Sequence, residues 1–489
     1  MTSLSSLIFF LLCFFSLGPL ASSTSGIHWH QGSVQSAFLL AKKENKPLFL
    51  YWGAAWCPPC NQIKRTIFSK PQFQSIIKKF IPVYLDGDKK RAQIWSERFG
   101  TVGYPTMIIL SPQGVEVNRL PTGLQVDEYT SLMSKSILKM RPISELLELA
   151  LQKKLKKKED WQLLSSHSWH QEKKMETFKI LYQNCPSSFL ISKSRLLLQY
   201  LSLVKKLSTK EQFFFKEKFL NILTKKSLLY SNLESLFFQA ENFITVLFSP
   251  RDIHSKEFIK TYLNQMKIIE ADSTLSIDER LSSLSPAISL HKVFNKKAPY
   301  SKNFKRHILK ISLWASENSK NQHQRQAAMS TAIWNLKETG QLKQAIKLSK
   351  EEILKSESPF YFMSYLGSLY KKIGNKSLSI DWYEKAYISA KGEATKFQWG
   401  TRYALAIIEL FPKNIKRLQK HLKNIMNDIS KSEGAFHGRN QLRFSQLSKG
   451  LKKWGKTRKS QIVAVKDQLK NHCQFFLQKK KCLEWSKII

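Results

Sequence analysis

A chain of 489 residues is too long for one ordinary domain of ~100–200 residues, and a hydrophobic content of 42% excludes wholesale disorder. It carries 79 basic and 36 acidic residues, a formal net charge of +43 dominated by lysine. That charge would draw weak binding to anionic surfaces or an acidic partner, yet uniform lysine enrichment accounts for it without a binding role. Nucleic acid is a poor fit, because runs such as Lys156 to Lys158 lack interleaved aromatic residues for stacking.

Residues 1–21, "MTSLSSLIFFLLCFFSLGPLA", read as a signal peptide. Leu7 to Leu17 is almost wholly apolar, and small residues follow at Ala21, Ser22 and Ser23. The start has no Lys or Arg, and a retained anchor is the alternative. Leu4 to Leu20 is short for a span of ~20 residues, however, and contains Gly18-Pro19. The expectation is export, to a bacterial periplasm. Removal of the segment takes Cys13 with it and leaves Cys57, Cys60, Cys185, Cys473 and Cys482, which an oxidising compartment allows to pair.

Residues 27–140 alternate between helical and strand patterns. "SVQSAFLLAKKENK" predicts a helix over 33–46, and "PLFLYW" a short buried strand over 47–52. A helix is expected from Cys57 to Phe68 and another over 69–80, with Pro71 near its start. "IPVYLD" predicts a strand over 81–86, and 90–100 a helix ending at Gly100. "TMIIL" (106–110) and "VEVNRL" (115–120) flank the turn signal "SPQG", and a helix over 127–139 closes the unit. The fold class expected is a layered α/β domain followed by an all-α region.

Residues 141–325 show amphipathic helical stretches such as "METFKILYQN" and "KEFIKTYLNQMKII", with short breaks at "CPSS" and "SPRD" and no convincing strand. Residues 326–412 contain a repeat: "GQLKQAIKLSKEEI" from Gly340 and "GNKSLSIDWYEKAY" from Gly374, 34 residues apart. That is the period of a tetratricopeptide helix pair. Leu366, Gly367, Tyr370, Tyr383 and Ala386 fall on its pattern, and 397–412 reads as a degenerate third copy. Residues 413–489 complete a C-terminal helical region.

Chemistry concentrates at "WCPPC". A C-x-x-C between a strand and a helix sets Cys57 at the helix N-terminus, where free N–H groups and the helix dipole favour a thiolate. Cys60 lies one turn on, placed to resolve a mixed disulfide. A metal site would need two more ligands; His28 and His30 are near the mature N-terminus but read as an exposed tail. No metal and no cofactor is expected. A purely structural disulfide across so tight a loop gains little entropy.

"WCPPC" after a buried strand, with "GYPT" (103–106) placing Pro105 48 residues beyond Cys57, resembles the thioredoxin-fold thiol–disulfide oxidoreductases over residues 27–140. The stretch from Ala41 to Phe73 is most similar to the C-terminal domain of bacterial transmembrane disulfide reductases. The resemblance implies catalysis by Cys57 and Cys60, a cis peptide bond before Pro105, substrate contact by the Tyr104 backbone, and Trp56 covering the sulfurs. It also implies a disulfide-containing protein as substrate, a membrane electron donor, and the reducing direction. One departure is that Tyr51 and Tyr84 stand where the family often keeps a buried Asp and Lys for proton transfer. Asp86, Asp88 or a water must then serve Cys60.

Cys473 and Cys482 fall on opposite faces of an unbroken helix. A structural disulfide between them requires a turn, expected around Lys479 to Lys481; two free thiols or a second redox relay are the alternatives. Cys185 is expected buried. Trp314, Trp334, Trp382 and Trp454 read as core aromatics, and His167 and His170 as surface residues sharing a helix face. The leading expectation is an exported oxidoreductase whose helical repeats dock another protein. The rival is a scaffold whose cysteines rarely turn over.

Overall fold

The computed structural model describes residues 26–101, 103–169, 174–248, 255–294 and 298–489. The segment 1–21 read as a signal peptide, His170 and the "SPRD" break lie outside the described residues. Among the described residues no helix is long and apolar enough to cross a membrane.

The N-terminal unit runs α1 (Val34–Glu44), β1 (Leu48–Gly53), α2 (Pro58–Ile63), α3 (Pro71–Ile77), β2 (Ile81–Asp86), α4 (Lys90–Arg98), β3 (Thr106–Leu110), β4 (Glu116–Leu120) and α5 (Val126–Lys139). Its sheet has the order β2-β1-β3-β4, with β1 parallel to β2 and the other pairs antiparallel. Every residue of β1 is buried, because both faces of the sheet are covered. Leu48, Leu50 and Trp52 pack against Val34, Ala37 and Trp95 of α1 and α4. Phe49 and Tyr51, with opposite parity, pack among Phe68, Phe73 and Tyr129.

The helix expected to run to Phe68 changes character on the way. It is α-helical to Ile63 and continues as one π-helical turn, Lys64–Phe68. Ile67 and Phe68 are consecutive and both buried. The wider turn sends both toward the core, where Phe68 meets Tyr51 and Phe73 at ring distances of 4.9 and 4.7 Å.

From Ile143 onward the described elements are all helical. One buried cluster runs from Phe49 and Tyr51 through Leu146 and Trp161 to Tyr262, so the core continues across Met140. The helices Gln322–Glu338, Leu342–Lys355, Pro359–Ile373, Lys376–Ser389, Glu393–Leu410 and Ile415–Ser430 each pack against the next. Gly374 ends its helix with φ +91°, which a side chain would oppose. At Gly367 an added Cβ would lie 2.8 Å from the Tyr383 ring, so the bare backbone is what lets these two helices close up.

Three expectations are corrected. In "HWH" His28 is exposed as expected, but the segment is not a free tail: the His30 amide donates to the Pro82 carbonyl (2.8 Å), and Trp29 stacks on Tyr51. His167 is buried beyond the end of helix Lys158–Ser165, and its Nδ1 accepts the Arg119 amide (3.1 Å) with Glu116 3.9 Å from its Nε2. The turn that brings Cys473 to Cys482 is not at Lys479 to Lys481, which begin the helix Lys479–Lys487. It lies at Phe476 to Gln478, where buried Phe476 takes an extended conformation. The two sulfurs are bonded, with Cα atoms 5.4 Å apart. Of the four later tryptophans, Trp454 is buried and donates to the Pro412 carbonyl (3.0 Å), while Trp314, Trp334 and Trp382 are partly buried against a neighbouring core.

Candidate active site

β1 ends at Gly53 and a short loop delivers Cys57 as the N-cap of α2. Pro58 and Pro59 fill the first two helical positions and carry no N–H, so Cys60 supplies the first free amide of the helix. That amide donates to Cys57 Sγ at 3.2 Å. The two sulfurs form a disulfide with Cα atoms 5.2 Å apart. After reduction the same N–H, and the positive end of the helix behind it, favour the Cys57 thiolate.

The strand partner of β1 completes the site. Thr106 pairs with Trp52, which sets the preceding residues beside the end of β1. The Tyr104–Pro105 peptide bond is cis, and the Tyr104 carbonyl oxygen lies 3.5 Å from Cys57 Sγ. The structure thus gathers Trp56, Cys57, Cys60, Tyr104 and Pro105 at one end of the sheet.

Comparison with known proteins agrees with this geometry. Residues 34–137 match the family model of a thioredoxin-like domain. They form a thioredoxin-like domain. Thioredoxin H4 of Arabidopsis thaliana is 31% identical over 72 residues, covering 14% of this chain. The chain spans 56% of that relative's length. Most of the helical region therefore lies outside both matches.

The thioredoxin-like domain does not offer its cysteines to solvent. Cys57 is 2% exposed, Cys60 0% and Trp56 7%. They belong to a buried cluster with Phe360, Tyr383, Phe397 and Trp399 from the helical region. Trp399 meets Trp56 edge to face at 6.5 Å, and the Arg439 guanidinium lies over Trp56 and Tyr104, 4.3 and 5.0 Å from the ring centres.

Polar contacts hold this cover along the rim. Gln93 of α4 is 1% exposed. Its oxygen accepts the Arg439 and Asn440 amides (3.0 and 3.3 Å), capping the helix Gly438–Gly455. Its nitrogen donates to the Gly87 carbonyl and the Tyr104 hydroxyl (2.6 and 3.1 Å). Asp88 accepts the Thr395 amide (2.8 Å), and Lys90 and Glu97 pair with Glu433 and His437.

The proton-transfer question at Tyr51 and Tyr84 is sharpened. The two are register partners on β1 and β2, and their rings stack at 5.4 Å. Burial pushes both phenols far above their ordinary range, and the Tyr51 hydroxyl has no hydrogen-bond partner among the described residues. Neither serves as a base near neutral pH. Asp88 is tied to Thr395, and burial raises its carboxyl.

A further carboxylate was not singled out in the sequence. Asp278 lines a cavity of about 210 Å³ with Pro58, Pro59 and Gln62 of α2. Thr331 donates its hydroxyl to it, while burial and then the charge of Glu279 push it up to about 6. Asp278 sits within an ordinary capping signature, "SIDE", where Ser276 and Glu279 satisfy the helix end. Cys185 is a buried free thiol, and burial raises it to about 12, as suits a small apolar filler.

Proposed function

We propose that this protein is an exported thiol–disulfide oxidoreductase that reduces protein disulfides, with its own helical region acting as a movable cover over the redox pair. The observation that carries the reading is the Cys57–Cys60 disulfide at the head of α2, with Cys57 Sγ 3.5 Å from the carbonyl that precedes cis Pro105.

In the reducing direction the Cys57 thiolate attacks one sulfur of a substrate disulfide. That bond breaks, a thiolate leaves, and a Cys57 mixed disulfide forms. The Cys60 thiolate then attacks Cys57 Sγ, releasing the second substrate sulfur and closing Cys57–Cys60. Two electrons pass to the substrate, and an external donor must restore them. The resemblance to transmembrane reductases supports a donor in the membrane, and the apolar segment 1–21, read as a signal peptide, supports export to a bacterial periplasm.

A polypeptide substrate needs the space that Trp399, Phe360 and Arg439 fill, so protein turnover requires the cover to open. The stacked helix pairs, read as tetratricopeptide-like, supply a surface on which a partner protein docks to increase an opening that the chain also undergoes alone. Burial of both sulfurs also favours a second reading, a scaffold whose cysteines rarely turn over.

A Cys60→Ser variant separates the two. It keeps the nucleophile and removes the resolving thiol, so mixed disulfides with envelope proteins are expected to accumulate. Non-reducing gels followed by mass spectrometry report them. Absence of any Cys57-linked protein, with the variant folded and its Cys57 thiol titratable, supports the scaffold.

A further inference from the structure

The cover brings three arginines to the redox site. Arg439 and Arg443 are one turn apart on helix Gly438–Gly455, and Arg402 projects from helix Glu393–Leu410. Arg439 lies over Trp56, the residue before Cys57. Arg402 lies 5.7 Å from the ring centres of Trp399 and Tyr383. Arg443 donates to Gln446 and Gln398 (2.7 and 3.3 Å), which are neutral. None of the three guanidinium groups is in a salt bridge among the described residues. The charged group facing them from the thioredoxin-like domain is Asp88, whose field acts on Arg439 and which is held by the Thr395 amide.

This arrangement is costly as it stands. Like charges repel, and buried donors without acceptors lose their hydration without compensation. Arg443 Nε and Trp399 Nε1 are both buried without a hydrogen-bond partner among the described residues. Burial, then the charges of Arg439 and Arg402, pull the Arg443 guanidinium down to about 10. An acceptor-only group with negative charge would answer the repulsion and the empty Arg443 Nε–H.

We propose that Arg402, Arg439 and Arg443 form an anion-binding subsite that draws a small thiol bearing a carboxylate or sulfonate to the covered Cys57–Cys60 disulfide. The inference rests on the redox reading of that pair. Arg402 is exposed and lies against Trp399, which meets Trp56, so the arginine cluster extends from solvent toward sulfurs that are 2% and 0% exposed. The chemistry balances with two such thiols. The first thiolate attacks Cys57 Sγ, the Cys57–Cys60 bond breaks, and Cys60 leaves as a thiolate. The second attacks the small molecule's sulfur in the mixed disulfide, freeing the Cys57 thiolate and forming the small disulfide. Two electrons enter the protein, giving the covered state its own source of reducing equivalents.

The test uses the oxidised full chain and three thiols on one two-carbon skeleton: 2-mercaptoethanesulfonate, 2-mercaptoethanol and cysteamine. Opening of Cys57–Cys60 is followed by alkylation and mass spectrometry, which separates it from Cys473–Cys482. Rates are divided by thiolate concentration and by the same thiol's rate with a model disulfide. The sulfonate is expected to react about 10-fold or more faster than cysteamine, a preference of the size given by one charge-assisted contact. Arg443→Gln and, separately, Arg402→Gln should each lower that ratio about 3-fold or more. Lys310→Gln, remote and exposed, removes the same unit of charge and should leave the ratio unchanged.

Equal normalised rates for the three thiols overturn the proposal. So does a ratio that neither arginine variant lowers, since it then reflects the general field of a +43 chain. The assay is stoichiometric, so it is distinct from failure of the proposed function, which would appear as absent turnover of protein disulfides with this rate order intact.

Discussion

Replacing Trp399 with alanine is expected to raise the rate at which a bulky maleimide modifies reduced Cys57 by about 10- to 100-fold. The cover exchanges between a closed and an open form. With the cover closed, Cys57 is 2% exposed, and modification waits on an open form. Trp399 is 3% exposed and touches Trp56, Phe360 and Tyr361, so it stabilises the closed form directly. Truncating a buried aromatic costs about 3–5 kcal/mol. Part of that loss falls within the helical region in either state, and the remainder shifts the opening equilibrium. Gln93→Ala tests the same idea from the other side, because it removes the acceptor of the Arg439 and Asn440 amides and the donor to Tyr104 while leaving the Trp399 ring contacts in place. The expected effect has the same sign and is smaller. Cys185, buried in a different cluster, is the internal control and should not change. Unchanged Cys57 modification in both variants would show that the cover does not gate access.

The second large effect concerns Asp278. Its carboxyl is raised to about 6 from an ordinary 3.8, chiefly by burial. The sign follows from linkage. Between these two values the folded protein holds a proton that the unfolded chain has released, so stability falls as pH rises through that window. Above about 6 the cost stays constant. Two pH units correspond to nearly 3 kcal/mol, and the adjoining cavity lets water screen the charge, so about 2 kcal/mol is the working figure. Asp278→Asn keeps an acceptor for the Thr331 hydroxyl and abolishes the charge. The variant should be more stable than the parent at pH 7.5, by about 2 kcal/mol, and nearly equal to it at pH 3. Chemical denaturation at the two pH values checks this. An advantage of the same size at both would mean that packing, not titration, is responsible.

How much of this was legible in the sequence depended on the range of the contacts involved. The strands 81–86 and 106–110 were predicted with the bounds they have: 106–110 is a short apolar run buried throughout between β1 and β4, and 81–86, at the sheet edge, alternates buried and half-buried residues. The redox pair was legible because its chemistry is local: Cys57, two prolines and Cys60 are consecutive. Pro105 needed the resemblance, and the pairing of Thr106 with Trp52 places it. The cover was not legible. Gln93 and Arg439 are 346 residues apart, and glutamine and arginine are unremarkable on helices. Trp399 was read only as part of a degenerate repeat, and nothing local marks it as the neighbour of Trp56. The turn before Cys482 was misplaced for a simpler reason. Lysines are good helix formers and Lys479 to Lys481 start a helix, while the break is set by where Phe476 is buried.

The central claim is that Cys57 is a working nucleophile, and reduction of insulin by the full chain with dithiothreitol as donor tests it most directly. The account predicts catalysed turnover that falls to the uncatalysed rate in Cys57→Ser. Equal rates for the parent and Cys57→Ser would contradict it.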